Sequence, residues 1–264
     1  TSSVVRAHLQ GMGSGSLPSR WHYVGPVFRY ELEESESRQF TQAGAELIGA
    51  SGPWADAEVL AIACQGLSEI GIKGCRLVIG HLGFIGALLE SLGISDRARL
   101  FLMNSVNALS RGPEGLREVR ERGAVLGLAA GGETREERVG EAPSEEALAL
   151  LDQYLKDTSS PAIGARTPQE IRQRFLRKQL FAEDAGRFDG ALELLAEVVQ
   201  VRGEPEKVLG IAREKGLPPQ SMKEVDSLAE TLEDLSHYQL DAQVSLDFGL
   251  ARGIAYYTGI VFEI

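Results

Sequence analysis

The chain has 264 residues, 43% of them hydrophobic, which is enough for one large domain or two smaller ones. Its formal charge of −11, from 38 acidic and 27 basic residues, disfavours a broad phosphate-binding face, so nucleic acid is not an expected partner. The chain has no signal pattern and no apolar run of about 18 residues, the length of a membrane span. Two cysteines, Cys64 and Cys75, indicate free thiols. We therefore expect a cytoplasmic protein without a membrane segment.

Two alternating segments near the start predict a hairpin. A short helix over residues 2–12 precedes them and ends at the breaker segment "GSGSLPS". "WHYVGPVFRYELE" and "RQFTQAGAELIGA" then alternate between apolar and polar residues, with an acidic loop between them. We expect two antiparallel strands joined by a long polar loop.

The middle of the chain is predicted to be mainly helical. "WADAEVLAIACQGLSEIGI" has the spacing of an amphipathic helix that stops at Gly71, and "CRLVIGHLG" is typical of a buried strand. Segments such as "FIGALLESLGI", "TPQEIRQRFLRKQLF" and "DGALELLAEVVQV" predict further helices, with a surface loop at 129–146. "QVSLDFGLARGIAYYTGIVFEI" then returns to β-type residues. The sequence therefore predicts a core in two parts, residues 1–95 and 239–264, around a mainly helical insertion at 96–238.

The ends of the sequence suggest a segment of a longer protein. It begins at Thr1 without a methionine and stops at Ile264 inside a run of strand-forming residues. We expect truncation at both ends.

Polar residues recur on one face of the second predicted strand. Arg38, Gln42 and Glu46 share this face, and Gly44 leaves room on it for a small ligand. The alternative is a sheet face that simply meets water. His81 is expected to be a structural residue.

The last segment carries a second set of candidates. Arg252 could present its forked guanidinium to a carboxylate or a phosphate. Strict alternation places Tyr256, and not Tyr257, on the face of Arg252, unless a bulge near Gly253 shifts the register. The alternative is that both tyrosines serve packing.

These motifs resemble a known family. "YVGPVFRYE" and "RQFTQAGAELIG" resemble motif 2 of the class II aminoacyl-tRNA synthetases in its histidyl form, and "LARGIAYYTGIVFE" resembles the histidine-binding segment of that family. "FTQAGAELIG", "WADAEVLAIA" and "LVIGHLG" look closer to the histidyl-synthetase paralogue that is the regulatory subunit of ATP phosphoribosyltransferase. The resemblance implies an α+β fold, with a class II antiparallel sheet flanked by helices and an α-helical insertion.

The resemblance also implies a function and its residues. It implies a non-catalytic protein without cofactor or metal, which binds histidine, acts on the short-form catalytic subunit and forms a dimer within a hetero-oligomer. The resemblance assigns Thr1 and Gln42 to the ammonium, Glu46 and Tyr257 to the imidazole and Arg252 to the carboxylate of the histidine, and Tyr256 is a further histidine-binding candidate. Arg29 and Arg38 would face the phosphates of a nucleotide if one binds.

Several positions depart from the synthetase pattern. Thr41 stands where synthetases commonly have histidine, and Ala255 stands where they have aspartate. The loop "LEESES" places Glu33, Glu34 and Glu36 where synthetases carry basic residues, and each close pair of like charges costs about 1 kcal/mol at the surface. These departures predict that adenylation and tRNA charging are lost.

Two alternative functions remain open. One is an active histidyl-tRNA synthetase, in which Arg29 and Arg252 stabilise the charge that develops during adenylation and an anticodon-binding domain follows residue 264. The other is a synthetase-like interaction domain that binds neither histidine nor ATP.

Overall fold

The computed structural model describes residues 2–11, 16–28, 39–128, 186–251 and 257–264. The predicted loop at 129–146 and the helix predicted for "TPQEIRQRFLRKQLF" lie outside the described residues. The helices of the described part are α1 Ser2–Leu9, α2 Pro53–Glu69, α3 Leu82–Ser91, α4 Asp96–Met103, α5 Val106–Leu109, α6 Pro113–Val125, α7 186–198, α8 Pro205–Glu214 and α9 Pro219–Ser236. Its strands are β1 Ser19–Phe28, β2 Gln39–Ile48, β3 Cys75–His81, β4 Arg202–Gly203, β5 Ala242–Asp247 and β6 Ile260–Glu263.

The chain divides into two compact units. The first comprises Thr1–Leu77, Val225–Val244 and Ile264, and the second comprises Val78–Glu224 and Ser245–Glu263. None of the helices in the described ranges combines the length and the apolar character needed to cross a bilayer. The boundaries predicted at residues 95 and 238 stay a prediction.

The first unit contains the predicted hairpin. β1 and β2 pair antiparallel, with Trp21 opposite Glu46, Tyr23 opposite Gly44 and Gly25 opposite Gln42. Burial alternates along β1 between half-covered and exposed residues, as the two-residue period of a strand requires. The hairpin that the alternation predicts is therefore confirmed.

Helix α2 packs against strand β2 of this hairpin. It starts with a proline in its first turn and is followed by Gly71, whose positive φ of 88° few other residues adopt. Arg20 donates from two guanidinium nitrogens to the carboxylate of Glu58 on α2, at 2.5 and 2.8 Å. Since Arg20 and Tyr23 have opposite parity on β1, this ion pair joins α2 to the face of the hairpin opposite Tyr23.

The second unit is organised around α3 and most of a four-stranded sheet. The strand order is β4-β5-β3-β6, and β6 runs antiparallel to β3 with Ile260 opposite His81. Helix α3 is apolar on most of its surface, and Leu82, Phe84 and Leu88 are at most 4% exposed. The ring of Phe84 lies 4.5 Å from the ring of Phe248, between centroids. The strand predicted for "CRLVIGHLG" is confirmed as β3, and the helix predicted after it is confirmed as α3.

Candidate functional site

Two of the predicted site residues lie on one face of the hairpin. Gln42 and Glu46 occupy β2 on either side of Gly44, and all three are half-buried. Their neighbours on the opposite face, Ala43 and Ala45, are exposed. Gln42 and Glu46 therefore share one face of β2, as their spacing predicts. This face is less exposed than the opposite one.

A residue that the sequence analysis did not single out stands at the centre of this face. Tyr23 lies directly opposite Gly44, and its hydroxyl accepts a hydrogen bond of 2.8 Å from Nε2 of Gln42. In the sequence, alternation places Tyr23 on the same face of β1 as Trp21. Alternation does not show which residue of β2 lies opposite Tyr23.

The predicted open space over Gly44 is filled in the structure. A Cβ atom added at Gly44 would lie 2.3 Å from Cζ and 2.4 Å from the hydroxyl oxygen of Tyr23. The expectation of a side-chain-free spot for a ligand is therefore wrong, because the cross-strand tyrosine reaches over the glycine. The absence of a side chain at Gly44 allows the aromatic ring of Tyr23 to approach the backbone of β2.

The other predicted residues are distributed differently. Tyr257 belongs to the second unit, lies shortly before β6, which starts at Ile260, and is 40% exposed. The remaining candidates lie outside the described residues: Thr1, Arg29, Arg38, Arg252 and Tyr256. The question whether Tyr256 or Tyr257 shares a face with Arg252 stays a prediction.

His81, expected to be structural, is 5% exposed and ends β3. Its Nδ1 accepts a hydrogen bond of 3.0 Å from the backbone N–H of Phe84, which caps the N-terminus of α3. Nε2 then carries the proton and lies 3.6 Å from a carboxylate oxygen of Glu224. Burial lowers the pKa of His81 to about 4, so the imidazole is neutral at pH 7 and this contact is no ion pair.

The described part of the hairpin face carries no cluster of metal ligands. Among the described ranges, no three His, Cys, Asp or Glu side chains are grouped so as to hold a metal ion. A surface cavity of about 280 Å³ lies elsewhere in the first unit and is lined by Trp54, Asp234, His237 and Tyr238. None of the predicted site residues lines this cavity.

Comparison with known proteins places the chain in a family. The family model described as histidyl-tRNA synthetase matches residues 1–121 and 166–264. The histidine–tRNA ligase of Pyrococcus abyssi is 26% identical over 100% of this chain and 47% of its own length. The ATP phosphoribosyltransferase regulatory subunit of Symbiobacterium thermophilum is 28% identical over 100% of this chain and 50% of its own length. The chain thus spans about half the length of the curated relatives it matches.

Solved structures share the fold. One is described as an ATP phosphoribosyltransferase regulatory subunit/histidyl-tRNA synthetase from Bacillus halodurans, with a TM-score of 0.60 at 20% identity over 100% of this chain and 52% of that one. Another is a histidyl-tRNA synthetase from Nostoc, with a TM-score of 0.57 at 17% identity over 99% of this chain and 46% of that one. The α+β class II fold that the sequence predicts is confirmed, and the chain belongs to the histidyl-tRNA synthetase family.

Proposed function

We propose that this chain is a regulatory, non-catalytic subunit of ATP phosphoribosyltransferase and that it binds histidine. The observation that carries the proposal is the half-buried polar face of the hairpin, where Gln42 and Glu46 lie on either side of the Tyr23 ring. Relatives named ATP phosphoribosyltransferase regulatory subunit match 98% to 100% of the chain, which supports the same function.

The polar groups of this face complement parts of a histidine molecule. The side-chain amide of Gln42 donates through Nε2 to Tyr23. The carbonyl oxygen of the same amide would accept a hydrogen bond from the ammonium of histidine. Glu46, on the same face, would accept the N–H of the imidazole ring. We assign the other contacts to Thr1 at the ammonium, Arg252 at the carboxylate and Tyr257 at the ring, with Tyr256 as a further residue of the site.

The sequence of the hairpin loop favours binding without adenylation. Glu33, Glu34 and Glu36 replace the basic residues that would hold ATP and the acceptor end of tRNA. Arg29 and Arg38 would face nucleotide phosphates only if a nucleotide still binds. Without the adenylation step, a retained histidine site can act as a sensor.

Feedback control would follow from linkage between histidine and the assembly. Histidine shifts the equilibrium between two states of the transferase by the difference in its affinity for them, and by no more. We propose a short-form catalytic subunit as the partner, a dimer of this chain within the hetero-oligomer, and the cytoplasm as the compartment.

Replacement of the ring acceptor tests this function. In a reconstituted assembly with a short-form catalytic subunit, Glu46→Gln should raise the histidine concentration needed for inhibition about ten- to hundredfold, since a hydrogen bond to a charged group contributes about 1.5–3 kcal/mol. The matched control is Glu69→Gln, an exposed residue of α2 in the same unit. Unchanged sensitivity of Glu46→Gln would contradict histidine sensing and favour the interaction domain.

The second candidate function is histidine–tRNA ligase. It is favoured by relatives with that name, which match 100% of the chain at 25% to 26% identity. In this case Arg29 and Arg252 would stabilise the charge that develops as the histidine carboxylate attacks the α-phosphate of ATP.

A further inference from the structure

Four residues at the junction of β3 and α3 contact both ends of the segment that carries Arg252 and Tyr257. These residues, Gly80, His81, Leu82 and Gly83, are called the GHLG junction below. The junction and its contacts in 245–263 lie within the second unit.

The first end of the segment is held at Gly80. A Cβ atom added there would lie 2.6 Å from the carbonyl oxygen and 2.9 Å from Cβ of Leu250, and 3.1 Å from the carbonyl oxygen of Asp247. Real Cβ atoms do not approach backbone so closely, so the chain at Leu250 reaches this position only because residue 80 has no side chain. Leu250 precedes Arg252 by two residues.

The other end is held at Leu82 and Gly83. The backbone N–H of Leu82 donates a hydrogen bond of 2.9 Å to the carbonyl oxygen of Gly259. A Cβ atom added at Gly83 would lie 2.5 Å from the carbonyl oxygen of Thr258. Thr258 follows Tyr257 directly, so this backbone contact fixes the chain next to the tyrosine.

The junction itself is tightly fixed. His81 caps α3 and pairs with Ile260 across the sheet, and Leu82 is 4% exposed. The hypothetical Cβ of Gly83 would also lie 2.9 Å from Cε1 of His81 and 3.0 Å from Oε2 of Glu224. Residue 83 is therefore enclosed by a carbonyl, an imidazole and a carboxylate.

We propose that the GHLG junction anchors both ends of the histidine-binding segment, so that Gly80 and Gly83 are positioning residues for Arg252 and Tyr257. Neither glycine has a positive φ, so the close approach of the backbone, and not the backbone conformation, requires glycine. The inference rests on the proposed function in one respect, because it takes 252–257 as part of a histidine site.

A pair of alanine substitutions in one helix tests the Gly83 contact. Gly83→Ala forces the chain at Thr258 to move, whereas Gly86→Ala, also in α3, places its methyl group where no atom lies within 4 Å. We expect Gly83→Ala to weaken histidine binding about tenfold or more, because ångström-scale displacement of a positioned group has effects of this order. Gly86→Ala should bind within about twofold of the wild type, since Ala is also the better helix former.

Gly80→Ala tests the other end through specificity. Displacement of Leu250 should disturb the carboxylate contact of Arg252 more than the ring contacts. We therefore expect the variant to lose most of the preference for histidine over histidinol, which lacks the carboxylate. A preference equal to that of the wild type would contradict the role of Gly80, and general destabilisation would not change this ratio.

Hydrogen exchange of the ligand-free chain separates failure of the anchor from failure of the proposed function. The anchor predicts a slowly exchanging Leu82 amide in the wild type, and faster exchange over 257–263 in Gly83→Ala than in Gly86→Ala. If the wild type does not bind histidine, the proposed function fails, and the exchange difference still decides on the anchor. Equal exchange in the two variants, or an unprotected Leu82 amide, would overturn the anchor. The Leu82 amide gives this answer even if Gly83→Ala does not fold.

Discussion

At the scale of single residues, the contact between Tyr23 and Gly44 organises the hairpin face. The ring of Tyr23 on β1 lies over Gly44 on β2, which is possible because the glycine has no side chain. The hydroxyl of Tyr23 holds the side-chain amide of Gln42. A binding site requires side chains that are held in place before the ligand arrives. The tyrosine, the glycine and the glutamine form such an arrangement.

Substitution of Gly44 tests this arrangement. Gly44→Ala should displace the Tyr23 ring, break the hydrogen bond to Gln42 and lower the free energy of unfolding by about 1–3 kcal/mol, as overpacking does. Gly25→Ala is the matched control, since Gly25 lies opposite Gln42 and its added Cβ meets no atom within 4 Å. Urea unfolding and calorimetric titration with histidine measure both effects. Equal stability and equal affinity of the two variants would show that Tyr23 does not order the face.

At the scale of elements, the junction of β3 and α3 joins strand, helix and the C-terminal strand. His81 ends β3, caps α3 and lies opposite Ile260 of β6. One buried imidazole therefore links three elements, and its charge state bears on their stability.

The stability of the fold should depend on pH through His81. Its folded-state pKa of about 4 lies below the ordinary value of 6.5, so protonation favours the unfolded chain. The contribution of neutral His81 is complete above about pH 6.5 and is lost as the pH falls through 4, by up to about 3 kcal/mol. Urea unfolding at several pH values measures this slope.

His81→Asn should have a flatter dependence, since asparagine can cap the helix without titrating. The control His22→Asn, on the exposed face of β1, should keep the slope of the wild type. A slope that is the same in all three proteins would contradict the assignment to His81.

The sequence predicts these elements better than their contacts. Alternation identified β1 and β2, but a long loop leaves their register open, so the pairing of Tyr23 with Gly44 was not predictable. Apolar spacing identified α2 and α3 in the same way. β4 was missed because two residues, Arg202 and Gly203, carry no period, and it is defined by its partner β5.

The resemblance makes a prediction about the site that alternation along a strand cannot make. It assigns Gln42 and Glu46 to the same ligand as Arg252 and Tyr257, although the two pairs are far apart in the sequence, and this assignment stays a prediction. Alternation assigns only residues of the same strand to a common face. In this way it predicts that Gln42 and Glu46 share one face of β2. The GHLG junction was not predictable, because its function depends on backbone approaches between segments separated by about 170 residues, as Gly80 and Leu250 are.

At the scale of the whole molecule, charge and family membership together define the central question. Solved structures described as a histidyl-tRNA synthetase and as an ATP phosphoribosyltransferase regulatory subunit/histidyl-tRNA synthetase share this fold, so the fold alone does not decide between catalysis and regulation. The net charge of −11 and the acidic hairpin loop oppose the binding of ATP and tRNA. Retained histidine binding with lost adenylation is the combination that we propose.

Histidine-dependent exchange of pyrophosphate into ATP tests this combination most directly, with histidine binding followed by calorimetry on the same sample. An active histidyl-tRNA synthetase serves as the positive control for exchange. The proposed function predicts saturable binding of histidine without exchange above background. Exchange at the rate of the control synthetase would contradict it and would make Arg29 and Arg252 catalytic residues.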